Sequence, residues 1–316
     1  MKRVKKLGRG LEDFSHLFLS SGAEKSEPLP SIKQDAVCER RDAVTPARVI
    51  CITGDKKVGE RAFLTVNLAL EIAKQGKRVL VFDADFSLPR LCMLMGMPVR
   101  SSVLHFISKN GEDEIIAEGV NGVKLITLDV DISDLRSLGE RERKSLMKCF
   151  KSAEEEADIL LVNTSPSFIQ HMRTVLKASG DIIVTTPQQV NEMINAYGVI
   201  KTIFQVNKNA RVGIVSSRIG VPDQAEEVFE KMQRIVKKFL NKPLYNYGYI
   251  PEDTEITLSM TRRKPLSLSS PSSETVKCIT EISQSILEMD ERERENRAVG
   301  GNHFSFTENL FNKSFV

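Results

Sequence analysis

The chain has no tryptophan, only four histidines and only five cysteines in 316 residues. Cys38, Cys51, Cys92, Cys149 and Cys278 form no C-x-x-C pair, and no histidine stands near them at ligand spacing. That argues against a zinc site or a disulfide framework and suits a reducing cytoplasm. No apolar run approaches the roughly 18 residues that span a bilayer. The basic amino terminus lacks a continuous apolar core, so it does not read as a secretory signal. A formal net charge of +3 is too small to call for nucleic acid by itself.

What is present is ordinary soluble-protein composition, 41% hydrophobic and 28% charged, in a length sufficient for one substantial α/β core plus tails. Residues 1–48 divide into a basic, glycine-broken start, a short amphipathic stretch and a linker-like segment. From 49 to about 288, short β-branched runs alternate with helical patterns. Strands are expected at 49–53, 78–83, 123–128, 158–163, 181–186, 211–217 and 244–249. Helices are expected at 59–75, 100–109, 138–154, 168–178, 190–206, 222–240 and 272–288. Strands nearly continuous in Val, Ile and Leu belong to a sheet covered on both faces. The expectation is therefore α/β, a doubly wound and mostly parallel sheet. Residues 289–316 read as a charged, glycine-ended linker followed by the aromatic-rich tail HFSFTENLFNKSFV.

The most informative stretch is 49–83, VICITGDKKVGERAFLTVNLALEIAKQGKRVLVFD. A buried strand enters a glycine-bounded loop, a long helix follows, and a second strand ends at Asp83. A working phosphate loop reads G-x-x-x-x-G-K-[ST], its lysine on the β/γ-phosphates and its hydroxyl on Mg²⁺. Gly54 and Gly59 keep the spacing, but Glu60 and Arg61 stand in the cation and hydroxyl places.

On these residues the chain resembles the MinD/ParA family of P-loop ATPases, in particular its FlhG-like flagellar-number branch. The resemblance also rests on Thr65-Val66-Asn67-Leu68-Ala69, Gly76-Lys77-Arg78-Val79-Leu80, Asp83-Ala84-Asp85, Leu161-Val162-Asn163-Thr164-Ser165, Val184-Thr185-Thr186-Pro187, the GYIPED run at 248–253 and Arg262-Arg263-Lys264-Pro265-Leu266. It implies a nucleotide site made from Gly54, Asp55, Lys56, Lys57, Val58, Gly59, Glu60, Arg61, Asn163 and Pro187, with Asp83 and Asp85 as the remnants of its acidic set. The departures are concentrated there. Asp55 falls where the family has its signature lysine, Glu60 where it has the loop lysine, and Arg61 where it has the hydroxyl. Asn163 replaces an aspartate, Ser167 a glycine, and Ser217 the adenine-reading asparagine. A glutamate in the first turn faces a polyanion with a repulsive term of order 4 kcal/mol before solvent relaxes it. The same carboxylate stabilises a bare helix start by roughly 0.3–1 kcal/mol.

The expectation is thus a catalytically degenerate member, without catalytic residues, metal or cofactor, that regulates or scaffolds spatial positioning of a flagellum, a division site or a cargo. A working ATPase with ATP and Mg²⁺ would need Lys56 or Lys57 to replace the missing lysine and Asp85 to assist water. A nucleic-acid-binding relative would need the basic group Lys231, Arg234, Lys237 and Lys238, then Arg262, Arg263 and Lys264. Lys5-Lys6-Leu7-Gly8-Arg9-Gly10-Leu11-Glu12 resembles the peptide by which ParB-type proteins touch a ParA partner, so a protein partner, itself an NTPase, is expected through residues 1–22. Residues 303–316 suit a weak membrane or protein contact, with docking on the chain's own surface as the rival. A homodimer is compatible with the family, nucleic acid is not expected, and location is cytoplasmic, peripheral at the inner face of the membrane. Domains are set at 1–48, 49–288 and 289–316. Met93, Met95 and Met97 read as buried packing.

Overall fold

A computed structural model describes residues 47–54, 58–85, 90–97, 115–127, 138–166, 169–297 and 305–311. The expected partner peptide, the expected helix over 100–109, and Asp55, Lys56, Lys57 and Ser167 lie outside the described residues.

Eight strands form one sheet in the order β3-β4-β2-β5-β1-β6-β7-β8. They are β1 (Arg48–Gly54), β2 (Val79–Ala84), β3 (Ile116–Glu118), β4 (Lys124–Thr127), β5 (Ile159–Thr164), β6 (Asp181–Pro187), β7 (Arg211–Ile219) and β8 (Tyr245–Pro251). Every pairing is parallel except β3 with β4. The described helices are α1 (Val58–Lys74), α2 (Arg90–Leu94), α3 (Glu140–Glu155), α4 (Ile169–Ala178), α5 (Val190–Val206), α6 (Pro222–Leu240), α7 (Thr254–Thr261), α8 (Leu266–Ser269), α9 (Glu274–Arg297) and α10 (Phe306–Phe311).

The period-2 alternation of the strands explains the two-sided burial. Val79 and Val81 point into a core shared with Phe63 and Leu70 of α1 and with Ile279 and Ile282 of α9. Their neighbours Leu80 and Phe82 point the other way, to a core built from α3, α4, α5 and α6. Central strands wet on neither face carry uninterrupted apolar runs, which is why the sequence marks them so clearly. The edge strand β3 has three residues and no such run, so its pattern gave no signal. Met95 is buried and Met93 and Met97 are half-buried; a Cβ on Gly119 would meet Met95 Cε at 2.9 Å and Met97 Sδ at 3.2 Å. The methionines are packing residues.

One boundary lies beyond its expected place, and one open choice between two readings is resolved. Helix α9 continues to Arg297, through residues set aside as the start of a linker. The run is rich in Glu and Arg, both good helix formers, so high charge does not end the helix. The described part of the carboxyl-terminal tail, α10, is docked on the chain's own surface. Phe306 is 2% exposed and Leu310 4%. The Phe306 and Phe82 rings lie 6.4 Å apart, and those of Phe311 and Phe150 5.4 Å apart. Glu154 of α3 accepts hydrogen bonds from the Phe306 and Thr307 N–H groups at 2.8 and 3.0 Å and from the Thr307 hydroxyl at 2.6 Å. A carboxylate from a neighbouring helix thus caps the start of α10, where the helix dipole favours negative charge. At the other end Arg143 donates to the Phe311 carbonyl at 2.5 Å. Of the two readings for the tail, self-docking holds over 305–311.

Candidate functional site

Strand β1 lies between β5 and β6, and its carboxyl end opens onto the loop that leads into α1. In an open parallel sheet this is where ligands sit, because loops there diverge and helix starts point inward. Gly54 is required by packing: a Cβ there would lie 1.9 Å from Thr185 Oγ1 on β6. At Gly59 a Cβ would come within 2.6 Å of Met260 Cε, so α7 closes over the second glycine of the loop. Pro187 is buried at the end of β6, in register with Ser217 on β7.

Two of the substituted positions, Glu60 and Ser217, meet directly. Glu60, in the first turn of α1, accepts a hydrogen bond from Ser217 Oγ at 2.9 Å. Its other oxygen makes an ion contact with Arg218 Nε at 2.8 Å. Arg218 also pairs with Glu192 at the start of α5, so one guanidinium joins α1, β7 and α5. It reaches them from a break in the β7–β8 register between Ser217 and Ile219, with φ of +56°. A bulge of this kind turns a side chain away from the ladder, and the left-handed backbone costs a non-glycine residue about 1 kcal/mol.

Arg61, one residue further along α1, faces inward and is 1% exposed, with Nη2 3.4 Å from Asp85 Oδ2. Asp83 is 2% exposed and accepts from Asn163 Nδ2 at 2.9 Å, from the Leu91 N–H at 3.3 Å and from the Asp85 N–H at 3.3 Å. Asp83 and Asn163 are register partners on β2 and β5. An aspartate in place of Asn163 would set a like charge against Asp83, whereas the amide donates to it. Burial pushes the Asp83 carboxyl up to about 7, against the pull of those hydrogen bonds. Burial also raises the Cys51 thiol above its ordinary range, which leaves it an inert packing group.

Among the described residues, two of the places that would hold a magnesium triphosphate are already engaged by side chains. The place of the metal-binding hydroxyl is taken by a buried guanidinium paired with Asp85, and the place of the loop lysine by a carboxylate already held by Ser217 and Arg218. Beside Glu60 lies a cavity of about 360 Å³ whose walls include Phe63, Ile250, Pro251 and Met260, with Glu252 and Asp253 also among its lining. The sequence pointed to Gly54, Gly59, Glu60, Arg61, Asp83, Asp85, Asn163, Pro187 and Ser217, and the fold brings these to one end of the sheet. It did not point to Arg218, Glu192 or Met260. Arg218 follows Ser217 directly, but only the bulge aims it at Glu60. Ser165 is buried beside this edge, and Lys231 of the basic group on α6 is paired with Glu227. Among the described residues no group of three or more His, Cys, Asp and Glu is placed to hold a metal ion.

Comparison with known proteins places this geometry in context. The ParA family model, described as "NUBPL iron-transfer P-loop NTPase", matches residues 47–287. The antiactivator FleN of Pseudomonas aeruginosa is 22% identical over 242 residues, 76% of this chain and 86% of that protein. The flagellum site-determining protein YlxH of Helicobacter pylori is 24% identical over 226 residues, 71% of this chain and 76% of its own length. Among solved structures, the MinD cell division protein of Aquifex aeolicus superimposes with a TM-score of 0.59 at 21% identity, covering 77% of this chain and 97% of its own. The cell division ATPase MinD of Pyrococcus furiosus gives 0.61 at 18%, covering 77% and 99%.

Proposed function

The chain belongs to the ParA family of P-loop NTPases, in its MinD/FlhG-like branch, and from that premise we propose that it is a non-hydrolysing member acting as a regulatory or scaffolding factor in spatial positioning. One observation carries the reading: three of the replaced positions are engaged inside the cradle, Glu60 by Ser217 and Arg218, Arg61 by Asp85, and Asn163 by Asp83. Charges that relatives would neutralise with a ligand are neutralised here by side chains. A fold that needs no nucleotide to balance its loop can hold one shape throughout, which suits a scaffold better than a switch.

The process is proposed from the relatives. Their names, an antiactivator and a flagellum site-determining protein, support a flagellar role, and the septum-site relatives support a division role. A solved complex of MinC with the Aquifex MinD supports action through a protein partner. We assign the partner-binding role to residues 1–22, the body to 49–288 and a cytoplasmic location to the whole. No described helix is long and apolar enough to cross a membrane.

Calorimetric titration with MgATP and MgADP is the test. The expected result is no binding tighter than about millimolar, some 4 kcal/mol weaker than a micromolar site. Sub-micromolar binding contradicts the proposal. Turnover that vanishes in Lys57→Ala but survives in Glu60→Ala would establish the working-enzyme reading in its place.

A further inference from the structure

We propose that the carboxyl-terminal end of α6, with the two loops beside it, is a contact surface for an anionic lipid bilayer. The proposal does not depend on the reading of the phosphate loop. Helix α6 buries Ala225, Val228, Met232 and Val236 against the sheet. Its exposed side is charge-ordered, with Asp223, Glu226, Glu227 and Glu230 in the first half and Lys231, Arg234, Lys237 and Lys238 in the second. That order complements the helix dipole and needs no ligand. The dipole does not explain Phe239, which is 65% exposed on the last turn, or Ile235 one turn earlier at 38%.

The surroundings of Phe239 are cationic. Lys238 Nζ lies 5.5 Å from the centre of its ring. Asn241, at φ +51°, ends the helix, and Lys242 then donates to the Lys208 carbonyl at 2.7 Å. This bond ties the loop entering β8 to the loop entering β7, which brings the exposed Lys208 to the same end. Among the described residues no carboxylate pairs with Arg234, Lys237, Lys238 or Lys208, whereas Lys231 is paired with Glu227 at 3.0 Å. An exposed aromatic and an aliphatic on the same helix end as unneutralised cations is the composition of an interfacial anchor, the ring entering the headgroup layer while the ammonium groups meet anionic lipid. A duplex nucleic acid would use the lysines but leave Phe239 and Ile235 in water. The surface lies at the amino ends of β7 and β8, away from the cradle at the carboxyl end of β1, so a bilayer there leaves the cradle accessible. The docked tail helix does not compete for this role, since Phe306 and Leu310 are buried.

Because the chain has no tryptophan, Phe239→Trp introduces a single reporter at the contact itself. The full-length variant is titrated with phosphatidylglycerol/phosphatidylcholine vesicles, with phosphatidylcholine vesicles and with duplex DNA. The expected result is a blue shift with the first, none with the second and none with DNA. Lys237→Gln/Lys238→Gln in the same background, with unchanged thermal unfolding, weakens partition about 25-fold, at about fivefold per lysine. Sedimentation with vesicles without a change in emission overturns the proposal by assigning binding to another surface. Absence of binding, a lysine pair without effect, or a preference for DNA overturns it equally.

Discussion

Two buried charge clusters sit at opposite ends of the sheet, and their carboxylates are shifted in opposite directions. At the amino ends of the strands Asp181 is held by Arg48 at 2.7 Å and by Arg211 at 2.5 Å, two cations to one carboxylate. Arg48 also donates to the Ile286 carbonyl of α9 at 2.6 Å, which fastens the last long helix to the sheet. At the carboxyl ends Arg61 meets Asp85 at 3.4 Å, while Asp83 accepts from the neutral donors Asn163 Nδ2 and the Leu91 and Asp85 N–H groups. Burial pushes both Asp181 and Asp83 up, but only at Asp181 do the two arginines outweigh it and hold the carboxyl below its ordinary value. The first cluster is a structural clamp with short charged contacts. In the second, neutral donors reach Asp83 and burial prevails.

The most damaging change at either cluster is Asp181→Ala. It removes the carboxylate that two buried guanidinium groups share, and a destabilisation of about 5 kcal/mol, the upper range for breaking a buried pair, is expected in urea unfolding. Arg61→Met should cost about 3 kcal/mol, less because the contact is longer, and Arg61→Met/Asp85→Leu should return to within about 1 kcal/mol of the parent. Equal costs for Asp181→Ala and Arg61→Met would show that the clusters do the same job. The smallest effect is in pH. Asp83 goes from an ordinary value of 3.8 to about 7 on folding, so between these limits the folded chain binds the extra proton. Stability from this group is therefore complete below about pH 4 and is lost as pH rises through 7. Asp83→Asn should remove this slope, and its melting temperature should vary a few degrees less between pH 5 and 8 than that of the parent.

Much of this molecule was legible residue by residue. The central strands announced themselves because both their faces are covered. Gly54 and Gly59 marked the loop, and the replacements at Glu60, Arg61 and Asn163 were visible by position alone. The three-residue β3 and the short α7 were not visible, because neither is long enough to show a period. Helix α9 ran past its expected end because glutamate and arginine propagate a helix whether or not they pack. Arg218 was hidden for a different reason: its role comes from a bulge, and a bulge leaves no signature in composition.

By itself the sequence determined the α/β class, the place of the cradle and the loss of its lysine and hydroxyl, since these follow from periodicity and from side-chain chemistry at fixed spacing. Only the tertiary structure decided that Glu60 meets Ser217 and Arg218, that Arg61 turns inward to Asp85, and that Phe306 and Leu310 pack under the cap of Glu154. Those pairings join residues far apart in the chain or depend on which way a side chain turns, and both are set by strand order, register and a left-handed residue rather than by local preference.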